Sequence, residues 1–300
     1  MSEPFDVVFL GTGSPLPSPD RCGAGQVVVA GDTHILVDCG WGAARRLLPA
    51  GVMPSAIETA VFTHMHTDHI TDFGDFLFLR WTAGARTPLR VFGPEGTRDM
   101  VDGFLLALGR DIGFRLAHHG DKLHPDGIRC EVVEVPVSRS PEDVVTIDGL
   151  RIQSFEVNHF PVVPAFGYRF IADGRTAVLS GDTTFCESLL AASQGADMLV
   201  CEAMNVPMLE ERIRALRAIG REVQASLFED IPSYHIPTPE IAELARDAGV
   251  GALVLSHIIP PIGNDGADVE TFIRGMDEIY GGTIRVARDT ERIPVERAKR

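Results

Sequence analysis

Sulfur and large aromatic side chains are scarce in this sequence: five Cys, two Trp and three Tyr are spread over 300 residues. Cys22, Cys39, Cys130, Cys186 and Cys201 lie far apart with no CxxC pair. That spacing excludes a zinc knuckle and a disulfide framework, leaving free and mostly buried thiols. Long apolar runs are missing too, since none approaches the roughly 20 residues that span a bilayer. Met1 leads straight into Val7-Val8-Phe9-Leu10 without a basic segment, a long apolar stretch and a small-residue cleavage site. The expected location is the cytoplasm, with no membrane partner. Basic charge is also in short supply. Lys plus Arg number 27 against 42 Asp plus Glu, a net charge of -15, which repels a polyanion unless a local basic patch intervenes. Nucleic acid is accordingly an unlikely partner on composition. Linkers of low complexity and internal repeats are absent, so residues 1–300, 45% hydrophobic, read as a single domain with a substantial core.

Short β-branched and apolar runs recur between turn signals, at 6–10, 26–30, 34–37, 59–63, 90–92, 131–137, 150–157, 166–171, 177–180, 198–202, 252–256 and 283–287. Helical spacing predicts helices over 42–50, 68–83, 95–108, 186–193, 238–247 and 267–280. Pro239 sits one residue behind Thr238, where a proline is tolerated at a helix start. Strands with sparse helices, followed by strand–helix alternation, predict an α/β sandwich of two sheets covered by helices. The insert 95–138, carrying Phe104, Phe114 and His118-His119, is expected to form a lid.

The most informative segment is Thr63-His64-Met65-His66-Thr67-Asp68-His69, which follows an apolar run and opens a helical pattern. In an extended loop His64 and His66 point the same way, while the tight Asp68-His69 step aims two more donors at a neighbouring point. Four donors within this loop can serve two adjacent cations. One or two histidines at a strand end are usually a surface feature, but here an Asp is interleaved among three. A carboxylate among imidazoles suits Zn²⁺, Mn²⁺ or Fe²⁺ in a site with open positions, whereas a closed structural zinc site normally uses cysteines.

The pattern H-x-H-x-D-H after a hydrophobic strand resembles the signature of the metallo-β-lactamase superfamily, and the rest of the chain resembles it in order. His159, in Val157-Asn158-His159-Phe160-Pro161 through Gly167-Tyr168-Arg169, is similar to the H-x-x-P-x-x-G-Y-R segment of the ribonuclease Z branch. Ser180-Gly181-Asp182-Thr183 resembles the turn whose carboxylate bridges two metals, and Leu255-Ser256-His257 resembles the closing histidine segment. Taken singly, each of these is an ordinary turn or core histidine. The resemblance therefore implies two divalent ions, most often zinc, held by His64, His66, Asp68, His69, His159, Asp182 and His257. It implies two mixed sheets flanked by helices in an αββα sandwich. It also implies that Asp38 and Glu202 support the ligands from behind, although Cys201 stands where this branch usually has a histidine before that Glu.

By the same resemblance the chain is expected to be a hydrolase in which a hydroxide bridging the metals attacks an ester, Asp68 orients that hydroxide and His235 protonates the leaving group. Trp81, Phe160 and Tyr234 are candidates for an aromatic wall around the substrate. The expected substrate is a small-molecule ester, a phosphodiester or aryl sulfate. Three features favour it: the acidic charge, the short span 170–180 where ribonuclease Z carries a protruding arm, and an arylsulfatase-like opening Gly11-Thr12-Gly13-Ser14-Pro15. A lactone or other carboxylic ester is the nearest rival, and a transfer RNA precursor ranks below both. A redox member, which has Glu at the position of His66, and a non-catalytic member with a degraded site rank last. The branch also leaves room for a homodimer.

Overall fold

Strand positions in this chain are apolar almost throughout rather than at alternate residues, because most strands are covered on both faces. In the computed structural model, which describes residues 3–298, strand β1 (Phe5–Gly11) buries every residue but Asp6. Phe5, Val7 and Phe9 face a second sheet, whereas Val8 and Leu10 face helices. The strands that follow are β2 (Gly25–Ala30), β3 (Thr33–Val37), β4 (Ile57–Val61), β5 (Leu89–Gly93), β6 (Cys130–Glu134) and β7 (Glu142–Ile147). Then come β8 (Leu150–Glu156), β9 (Phe166–Ala172), β10 (Arg175–Leu179), β11 (Met198–Met204), β12 (Ala252–Ile259), β13 (Thr283–Val286) and β14 (Arg292–Pro294).

One sheet has the order β14-β1-β2-β3-β4-β5-β6 and the other β13-β12-β11-β10-β9-β8-β7. In each, one half is antiparallel and the other parallel: β3 to β6 run parallel in the first, β10 to β13 in the second. Phe5, Ile35, Phe166, Phe170, Val200 and Val254 fill the space between the sheets, and helices close both outer faces. This is the expected αββα sandwich. Parallel strands deliver their carboxyl ends to one rim, which is where α/β sheets collect functional side chains. Among the described residues no helix is long and apolar enough to cross a membrane.

Local differences from the sequence reading have identifiable causes. The helix predicted over 68–83 is two, Thr67–Ile70 and Phe73–Thr82, because Asp72 is tied elsewhere: its N–H donates to Cys39 O and its Oδ2 accepts from Ala44 N–H. The helix predicted to stop at 108 runs on as Thr97–His119, where Ile112 and Leu116 continue the half-buried stripe until Gly120 at φ 54° ends it. Helices Val206–Ala218 and Glu222–Asp230 were not expected. Their signal is present in an Asn205 cap whose Oδ1 accepts from Met208 N–H, Pro207 in the first turn, and the Leu209, Ile213 and Leu216 spacing.

Arg80 is fully buried beneath the first sheet, and its guanidinium donates to the carbonyls of Ile57, Gly127 and Thr87 at 2.7, 2.9 and 3.0 Å. Substitution Arg80→Ala leaves three carbonyls without partners, at about 1 kcal/mol or more each. A stability loss of roughly 3 kcal/mol or more is expected in denaturant titrations. Retention of wild-type stability by the variant would show that water or neighbours replace the guanidinium.

Candidate metal centre

Asp38 follows β3 with φ 55°, a left-handed conformation that aims its carboxylate across the rim toward β4. Its Oδ1 accepts from Thr63 N–H at 2.8 Å, and its Oδ2 accepts from Thr63 Oγ1 and His69 Nδ1, each at 2.8 Å. With its proton on Nδ1, His69 presents a bare Nε2, which is buried and makes no hydrogen bond. The Thr63 hydroxyl, committed to Asp38, accepts from His64 Nδ1 at 3.0 Å and so exposes His64 Nε2 in the same way. His159, which follows β8, donates from Nδ1 to the Tyr234 carbonyl at 2.9 Å. Three imidazoles are thus fixed in one tautomer by what stands behind them.

Asp182 supplies the common point. It follows β10 through Gly181, whose φ of 62° and whose contact with Phe166 O, 2.6 Å from where a Cβ would stand, admit only glycine. Asp182 Oδ2 lies 3.8 Å from His64 Nε2 and 4.0 Å from His159 Nε2 on one side. On the other it lies 3.3 Å from both His69 Nε2 and His257 Nε2. Asp68 Oδ2 is 3.1 Å from His257 Nε2 and 3.5 Å from His69 Nε2. His257 itself sits within β12 at φ 46°.

These donors form two groups that share Asp182. His64, His66, His159 and Asp182 have ligand atoms within 4.8 Å of one another, as do Asp68, His69, Asp182 and His257. Burial, reinforced by neighbouring imidazoles, pushes His64 well below the usual imidazole range and lowers His66 and His159, so their lone pairs stay free. His64 Nε2 and His159 Nε2 stand 3.0 and 3.2 Å from His66 Nδ1, a convergence of lone pairs that protons satisfy poorly. In the second group burial opposes a charge on His69 and His257, yet Asp182 and Asp68 outweigh it and raise both. Burial would likewise raise Asp182, but His257 and His69 hold it well below the ordinary carboxylate range. A buried place where positive charge is favoured and bare nitrogens converge fits divalent cations.

Above the donors lies a cleft of about 410 Å³. Asp68, His66, His159 and Asp182 form its floor, the opening loop contributes Ser14, Pro15 and Leu16, and Tyr234 and His235 form one wall. His235 donates from Nδ1 to Glu202 Oε1 at 2.8 Å, and that oxygen also accepts from Thr183 N–H at 2.7 Å. Cys201 is wholly buried, and burial pushes its thiol well up from the ordinary range.

Two of the proposed wall aromatics are placed elsewhere. Trp81 is wholly buried in the helical layer outside the first sheet, its Nε1 donating to His124 O at 2.8 Å. Phe160 is 72% exposed and lines a neighbouring depression rather than the cleft. Tyr234 does line it. The segment 95–138 contributes no residue to the cleft lining; its long helix packs on β5, β6 and the helix Phe73–Thr82. Sequence reasoning missed Thr63 and the Tyr234 carbonyl, whose roles are carried by a hydroxyl and a main-chain oxygen that no motif spacing marks out.

A family model described as a beta-lactamase superfamily domain matches residues 33–258. Ribonuclease Z of Mycobacterium bovis (strain BCG / Pasteur 1173P2) is 36% identical over 294 residues, 97% of this chain and 98% of that protein. The chain belongs to the metallo-β-lactamase superfamily, in its ribonuclease Z-like branch. Ribonuclease Z of Mycobacterium marinum is 37% identical over 298 residues, 97% of this chain and 99% of that one. Among solved structures, a metallo-β-lactamase fold protein of Bacillus subtilis aligns with a TM-score of 0.70 at 18% identity, over 97% of this chain and 99% of that one. The short form of human tRNase Z aligns at 0.65 and 20%, over the same shares. Both show the shared fold.

Membership in this branch, at that identity and coverage, overturns the expectation of a small-molecule ester substrate, whether aryl sulfate, simple phosphodiester or lactone. It also overturns the ranking of nucleic acid as a disfavoured partner. The error has a physical origin: a net charge of -15 sums over the whole surface and does not describe the few residues that meet a substrate.

Proposed function

We propose that the chain is a ribonuclease Z-type phosphodiesterase that hydrolyses one phosphodiester bond of a transfer RNA precursor with two divalent ions bound. The observation that carries the reading is Asp182 Oδ2, standing between two groups of imidazoles on the floor of an open cleft. The full-length similarity to mycobacterial ribonucleases Z supplies the substrate class. His64, His66, His159 and Asp182 would hold one ion, and Asp68, His69, His257 and Asp182 the other. Imidazole with carboxylate and no thiolate suits Zn²⁺, with Mn²⁺ as the alternative.

Such a pair of ions supplies, when bound, acidification of water toward neutrality and positive charge against the phosphoryl oxygens. The chain's own groups do the rest. Asp38 and the Tyr234 carbonyl lock the imidazole tautomers so that the ligand nitrogens stay bare. Asp68, beside His257 at the cleft floor, orients the attacking water by accepting its proton. His235, anchored at Nδ1 by the Glu202 carboxylate and carrying a second proton on Nε2 as an imidazolium, would pass that Nε2 proton to the departing ribose oxygen and be left neutral. No covalent enzyme intermediate is required.

The test is cleavage of a 3′-extended precursor tRNA by metal-loaded protein, with single-site cutting expected. Chelation should abolish it and added Zn²⁺ or Mn²⁺ restore it. Failure of metal-replete protein to cut any RNA would overturn the reading.

A further inference from the structure

Beside the main cleft lies a second depression of about 350 Å³, and His159 lines both. Its rim carries Phe160, 72% exposed, and Val163, 67% exposed, two large apolar side chains that belong to no core cluster. Their loop is held firmly. Asn158 N–H donates to Thr183 Oγ1 at 3.1 Å, Asn158 Nδ2 donates to Thr184 Oγ1 at 2.7 Å, and Thr184 N–H returns to Asn158 O at 2.8 Å. The segment that presents Phe160 is thereby fastened to the one that carries Asp182. Among the polar residues lining the depression are the acids Glu156 and Glu187, with Asn158, Ser188 and Arg139, whose guanidinium is 3.8 Å from Glu156 and so partly offset.

We propose that this depression is a nucleobase subsite, taking one unpaired base next to the phosphate held in the main cleft, with Phe160 as its stacking face. The inference rests on the phosphodiesterase reading above. Because His159 lines both depressions, an occupant of the second would lie beside the group held in the main cleft. The two carboxylates repel a phosphate but accept from exocyclic amino groups, so the occupant is a base rather than the backbone. Unpaired bases stack on exposed aromatic rings without demanding a sequence. The site therefore selects single-stranded character beside the cleavage point.

The experiment pairs Phe160→Ala and Phe160→Tyr with an RNA substrate carrying, in turn, an abasic nucleotide on each side of the cut. Phe160→Ala is expected to raise KM about 10- to 100-fold, with kcat little changed and Phe160→Tyr restoring most of the loss. One abasic substrate should reproduce that loss with the wild-type protein and show no further loss with Phe160→Ala. Metal content and thermal midpoint should not move, since the ring is exposed. Equal slowing of intact and abasic substrates, or no change at all, would overturn the subsite. A change in oligomeric state by light scattering on Phe160→Ala would assign the patch to a second copy of the chain and overturn it as well. Cleavage of RNA by the wild type decides the underlying reading independently; with no such cleavage both fall.

Discussion

Asp182→Ala is expected to remove metal and activity together, lowering bound divalent ion from about two per chain and taking cleavage below detection. Asp182 Oδ2 lies within 4.0 Å of ring nitrogens from both donor sets, and it favours positive charge on His69 and His257 in a buried place. Without it, both donor sets would lose the carboxylate they share, which offsets buried positive charge. Asp182→Asn keeps the shape and removes the charge, so it should resemble Asp182→Ala in metal content, as elemental analysis of the loaded protein will show. Either variant turning over at the wild-type rate would mean that Asp182 does not join the two sites.

His235→Ala is expected to keep its metals and lose about 10²- to 10⁴-fold in kcat, the scale for a positioned general acid. The loss should be large for an RNA phosphodiester, whose leaving ribose oxygen needs a proton, and small for a nitrophenyl phosphodiester, whose leaving group does not. Glu202→Gln, which leaves the imidazole in place but weakens its Nδ1 anchor, should cost about 10- to 100-fold. Equal losses on both leaving groups would show His235 to be a binding group instead.

Much of the donor set was legible before any coordinates. The H-x-H-x-D-H run, His159 and Asp182 follow the apolar runs of β4, β8 and β10, and His257 follows the apolar run 252–256 within β12. Illegible were the contacts made by groups without a motif. Thr63 fixes His64 through a hydroxyl one residue away, and Tyr234 fixes His159 through its main chain across 75 residues. Trp81, a candidate for the wall whose alternative was core packing, is wholly buried in the helical layer. The helices Val206–Ala218 and Glu222–Asp230 fill a stretch between β11 and the His235 wall that the sequence reading left without structure.

By itself, then, the sequence determined the superfamily and the two-sheet architecture, and it marked the donor side chains that the fold brings together. Each of these depends on local order: apolar runs of strand length and donors at their ends. Tertiary structure alone decided which donors share a point in space, which nitrogen of each imidazole is bare, and which aromatics stand at the cleft. Those depend on how the parallel halves of two sheets present their carboxyl ends to one rim, bringing Asp38, Asp182 and His257 together from strands far apart in the chain.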